Sequence, residues 1–105
     1  MSPVLKGVLG AAGVHVASLV LYGVWLVVGL LVAGTGRGTR VAVGLFGTQG
    51  LGTLTFLAGI AVVYRLLGGV GVSQGLRVGV SVAYALLALG TLAVLILLTF
   101  LSFNR

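Results

Sequence analysis

The sequence predicts an all-α chain of integral-membrane type, with three long hydrophobic helices in antiparallel hairpins that assemble into a homo-oligomer. Three observations lead there. Long apolar runs recur three times, glycine-rich basic stretches separate them, and 105 residues carry six Lys and Arg but no Asp or Glu. Hydrophobic residues make up 60% of the chain, and the mean hydropathy is +1.36. Runs of this length and composition belong to membrane spans rather than globular cores.

The first apolar run extends from Gly7 to Ala33 and predicts a helix over about 4–33. Pro3 stands where a first helical turn tolerates it. The short basic start, Met1 to Lys6, resembles a signal peptide, but the run behind it is about twice the length of a signal's apolar region. The segment is therefore expected to belong to the mature protein. The second run, Val41 to Tyr64, predicts a helix over 41–66, and the third, Val78 to Phe103, one over 76–103. Each would span about 36–40 Å, enough to cross a hydrocarbon core of about 30 Å with some tilt. Valine is abundant and alternates locally, as in Val78-Gly79-Val80-Ser81-Val82. Membrane strands, however, are about ten residues long and alternate polar with apolar positions throughout. Helices are the expected outcome, forming one hydrophobic domain over 1–105.

Two turns join them. Residues 34–40 read Gly34-Thr35-Gly36-Arg37-Gly38-Thr39-Arg40, and residues 67–75 hold four glycines between Arg65 and Arg77. Glycine at this density marks a turn, since it alone reaches positive φ without penalty. Within the helices, Gly44, Thr48 and Gly52 recur every four residues, Gly75 and Gly79 continue to Ala83, and Gly7 and Ala11 lead to His15. Small residues at this spacing let helix backbones approach closely, a main driver of association in lipid. Gln49, amid the second-helix glycines, is expected to hydrogen-bond between helices.

Threading three helices across a membrane puts Lys6, Arg65 and Arg77 on one side and Arg37, Arg40 and Arg105 on the other, so loop charge sets no orientation. With no acids in the sequence, the counter-ions must be lipid phosphates, nucleic acid or another protein. In the first turn, Arg37 and Arg40 beside the amides of Gly36 and Gly38 make a cradle suited to phosphate. Lys6, Arg65 and Arg77 are further candidate anion sites. Stacking identical basic loops in a homo-oligomer builds repulsion that a bound anion must relieve.

The same composition argues against other classes. There is no carboxylate to serve as general base, proton carrier or metal ligand. Cysteine is absent and His15 is the only histidine, so neither a metal site nor a catalytic constellation is expected within one chain. The glycine stretches lack a nucleotide-binding pattern and its strand-to-helix context. The expectation is a non-enzyme whose only bound group is membrane lipid.

Two glycine-rich apolar helices joined by the short basic loop Gly34 to Arg40, with a further apolar helix and no acids, resemble the pilins of conjugation machines. These include the TrbC-like pilins of bacteria and the small membrane subunits of the archaeal Ced and Ted DNA-import systems. The resemblance is architectural and covers most of the chain. It implies a subunit that leaves the cell membrane and stacks helically into an extracellular tube with incorporated phospholipid, with Arg37 and Arg40 facing lumenal headgroups. Single-stranded DNA is what such a tube would conduct. The resemblance departs at the leader, since bacterial members carry a long cleaved signal. Two other classes remain open at this stage: an accessory integral-membrane subunit of a respiratory or translocation complex, and a small transporter or viral membrane protein. An accessory subunit would meet acids on its partner chains.

Overall fold

The computed structural model describes residues 2–34 and 38–103. The described chain is all-α: α1 spans Pro3–Ala33, α2 Thr39–Gly69 and α3 Gln74–Phe103. All three are long and apolar enough to cross a membrane. At 30 or 31 residues each, they rise about 45 Å, which matches a bilayer including its headgroup regions.

Local chemistry sets the ends. Ser2 caps α1, its hydroxyl accepting from the Leu5 amide at 3.1 Å, and Pro3 follows where its missing N–H is harmless. Gly34, at φ 54°, turns the chain out of α1 while its amide donates to the Leu30 carbonyl. Ser73 opens α3, its hydroxyl accepting from the Leu76 amide at 3.3 Å. The second turn is shorter than the glycine density of 67–75 predicts. Helix α2 runs on through Gly68 and Gly69, and the break comes at Gly71, the residue there with positive φ (81°). A helical glycine costs only about 1 kcal/mol against alanine, so packing against α3 overrides it. Arg40, expected in the first turn, lies in the opening turn of α2.

Helix α2 touches both neighbours along its length, while α1 and α3 meet sparsely. Gly7, near the start of α1, faces Leu67 late in α2, and Gly29, near the end of α1, faces Gly44 and Thr48 early in α2. The residues buried on α1 are Gly7, Ala11, Ser18, Tyr22, Gly29 and Ala33, a recurrence of eleven. That period, 3.67 residues per turn, drifts in the sense of a right-handed wrap. On α2, Gly44, Thr48, Gly52 and Phe56 step by four before Gly59, Val63 and Leu67 complete the stripe.

A monomer of this composition need not seal a core, yet a narrow one forms. Tyr22, Phe56, Val63, Leu67, Tyr84, Ala88 and Leu92 are buried together. Tyr22 and Phe56 meet edge to face, with ring centroids 6.3 Å apart, a geometry that aromatic quadrupoles favour. The Tyr22 hydroxyl lies 2.5 Å from Thr99 Oγ1 on α3, so one α1 side chain ties the two outer helices across the core. Most of the remaining apolar surface points outward, including Leu31, Phe46, Leu54, Leu86 and Leu101.

Candidate functional site

The small-residue positions divide sharply. Gly44, Thr48 and Gly52 are buried against α1. A Cβ on Gly29 would run into Thr48 Oγ1 and stand 2.7 Å from the Gly44 carbonyl; one on Gly44 would strike the Gly29 carbonyl in return. The Thr48 hydroxyl occupies the space left, donating to Gly44 O (2.8 Å) and Trp25 O (3.2 Å). Against Gly52 lies the ring of Tyr22. Gly75 and Gly79 behave differently from the packing expectation. Both are exposed, and none of the described residues lies within 4 Å of a Cβ on either, so this pair packs against none of them. The same outward placement holds for Gly47 and Gly50. Their four-residue spacing is shared with the seam, but α3 turns its other face, bearing Ser81, Tyr84, Ala88 and Leu92, to the core.

Among the described residues, the charges gather at the two ends. At one end Lys6 precedes Gly7, which faces Leu67, while Arg65 lies late in α2 and Arg77 early in α3. Arg77 lies 3.8 Å above the Tyr64 ring centroid and donates Nε–H to the Tyr64 carbonyl at 2.9 Å. Such stacking contributes about 0.5–1 kcal/mol where partly exposed. Gly68 makes room, because a Cβ there would come within 2.8 Å of the guanidinium. Gln74 Nε2 donates to the Tyr64 hydroxyl at 3.3 Å.

At the other end, Arg40 donates Nε–H to the Val32 carbonyl at 3.1 Å, with its guanidinium against Gly34. Arg40 thus caps the last turn of α1, where cations suit the helix dipole. Both turns are closed alike: an arginine from the start of the next helix clasps a carbonyl near the end of the preceding one. Gly38 is exposed at φ 70°. Gly36, Arg37 and Arg105 lie outside the described residues. Arg40 and Arg65 stand 25 positions apart in α2, about 37 Å of rise, which brackets a hydrocarbon core.

The interior holds polar side chains that sequence reasoning weighed only in part. Trp25 Nε1 donates to Thr55 Oγ1 at 2.9 Å. His15 sits edge-on to Phe56 and Tyr84, at 6.2 and 6.0 Å between centroids. Its Nδ1, Gln49 Nε2 and Ser81 Oγ are buried and find no hydrogen-bond partner among the described residues. Among the described residues, Gln49 makes no hydrogen bond to another helix of the same chain. Thr99, Ser81 and Tyr84 were legible only through their shared helical face with Ala88 and Leu92. Among the described residues no cluster of His, Cys, Asp or Glu is built to hold a metal. A search of protein-family models, curated proteins and solved structures finds no match to this chain.

Proposed function

We propose that this chain is the structural subunit of a lipid-containing, conjugative-type DNA-transfer pilus. In this reading the helices form antiparallel hairpins in the cell membrane, then stack as a homo-oligomer into an extracellular tube wide enough for single-stranded DNA. The observation that carries it is the complete absence of acids beside six cations. Identical basic ends brought into register repel one another, and anionic lipid phosphate, available wherever these helices reside, relieves that repulsion. The outward glycines support the same reading. Gly75 and Gly79 meet no partner among the described residues, and in lipid such a face serves a helix from another molecule. Arg40 supports it too, since among the described residues only its Nε is engaged, by Val32 O, leaving the outer fork nitrogens for an oxyanion.

The test reverses the charge of the first loop. The double variant Arg37→Glu/Arg40→Glu is expected to insert in the membrane but to yield no filaments and no stoichiometric lipid, read by lipid extraction and mass spectrometry of sheared material. Normal filaments with unchanged lipid would overturn the loop assignment. Recovery of the wild-type chain only in complex with acid-bearing membrane subunits would favour an accessory role, in which those acids neutralise its arginines.

A further inference from the structure

The two helix contacts are not held alike. Along the α1–α2 seam Gly29 lies against Gly44, and the polar side chains are hydrogen-bonded, Thr48 to two carbonyls and Trp25 to Thr55. Helix α3 makes no such close approach through its own glycines. Gly75, Gly79 and Gly90 meet none of the described residues. An open-sided groove of about 450 Å³, with Leu57, Ala61, Val82 and Ala85 among its walls, runs between α2 and α3. Close packing is what holds helices together in lipid, so the contact with α3 is the weaker one.

Its polar groups are also poorly served. Ser81 Oγ, on the core face of α3, and Nδ1 of His15, edge-on to Tyr84, are buried and find no hydrogen-bond partner among the described residues. Thr91, Thr99 and Ser102 on the same helix each donate to the carbonyl four residues back. Turned away from the core, Ser81 gains the same bond to the Arg77 carbonyl. The specific ties to α3 sit mostly at its ends. At one end the connection pivots on Gly71, at φ 81° with open space around it, beside the clasp of Arg77 on Tyr64. Midway, the Tyr84 hydroxyl lies beside Ser18. Near the other end, the Tyr22 hydroxyl meets Thr99 Oγ1 at 2.5 Å and donates to the Leu95 carbonyl at 3.3 Å.

We propose that α3 is a releasable arm. It swings from the α1–α2 pair as a unit about Gly71, with the contact of Tyr22 on Thr99 as its latch. The chain thereby has a closed and an open packing, and the α1–α2 seam stays shut in both. The inference rests on the membrane placement proposed above but not on filament formation.

The sequence holds no cysteine, so each test variant carries a single thiol. Full-length Ala88→Cys, at a position 0% exposed on α3, is compared with Thr48→Cys, at one 2% exposed in the seam. Ala33→Cys, which faces Gly44, is a second seam thiol should Thr48→Cys loosen the packing. Each is reacted with a methanethiosulfonate in mild detergent and timed by mass spectrometry, while Trp25 fluorescence verifies the seam. Ala88→Cys is expected to label about tenfold faster than the seam thiols, because local opening bares α3 alone. Adding Tyr22→Phe should speed Ala88→Cys about threefold, the effect of one interhelical hydrogen bond in lipid, and leave the seam thiols unchanged. Adding Ser81→Ala should slow it, since the closed state then buries no unpaired hydroxyl at that position. Equal labelling of α3 and seam thiols, acceleration of both by Tyr22→Phe, or no slowing by Ser81→Ala would each overturn the proposal. Because the assay reads single chains, an arm that opens in a protein making no filaments would sink the pilus reading alone.

Discussion

Replacing Gly44 by leucine is expected to part α1 from α2 and destabilise the fold by about 3 kcal/mol, the upper end of overpacking penalties. The reason is what the new side chain meets. Its first carbon would collide with the Gly29 carbonyl, and Phe103 and Ala33 crowd the same space at 3.1 and 3.3 Å. Backbone cannot step aside as a side chain can. Gly7 makes the contrast: a Cβ there meets side chains, the flexible tip of Leu67 at 2.5 Å and Val70 Cγ2 at 3.9 Å. Gly7→Ala should therefore cost far less. Gly79→Leu, with open space around it, should leave the isolated chain within about 0.5 kcal/mol of wild type, as surface changes do. SDS titration in mixed micelles measures all three. Trp25, hydrogen-bonded across the same seam to Thr55, is the only tryptophan and reports the separation. Equal stability of Gly44→Leu and Gly79→Leu would contradict the seam as described.

The second large effect is expected at Tyr22. This side chain is 1% exposed, lies against Gly52 on α2, and reaches Thr99 and the Leu95 carbonyl on α3. Tyr22→Ala removes its ring from both neighbours at once and leaves a cavity beside Phe56. A loss of about 3 kcal/mol is expected, at the low end for aromatic truncations, because the lipid-embedded unfolded state lacks the usual hydrophobic penalty. Tyr22→Phe keeps the ring and removes only the hydroxyl, so about 0.6 kcal/mol is expected, typical of interhelical hydrogen bonds in lipid. The same titration separates the two. A Tyr22→Phe variant as unstable as Tyr22→Ala would show that the hydroxyl, not the ring, holds α3.

Helix number and rough extent were legible because apolar length alone carries them: no charged side chain in 7–33 or 78–103 interrupts the run. The inward face was harder. Gly44, Thr48 and Gly52 stood out by their spacing, and so did Gly75 and Gly79, but one set meets α1 and the other meets none of the described residues. With 19 glycines in 105 residues, four-residue spacing recurs on every face and loses its power to discriminate. The eleven-residue recurrence from Gly7 through Ser18 to Gly29 is a sharper signal, because a second buried residue follows each four positions on, at Ala11, Tyr22 and Ala33. Gly68 and Gly69 were read as turn because glycine is permissive, and permissive residues follow their surroundings. Here Arg77 packs over Gly68 and keeps it helical. The clasp of Arg40 on Val32 and of Arg77 on Tyr64 has no sequence signature, since it depends on how two helix ends meet.

The central claim, that this acid-free chain builds a tube, is tested most directly by negative-stain electron microscopy of material sheared from cells making it, with the fraction identified by mass spectrometry. The account predicts thin tubes composed mainly of this chain. A chain found only in detergent-solubilised membranes, bound to acid-bearing subunits and absent from the sheared fraction, would contradict it.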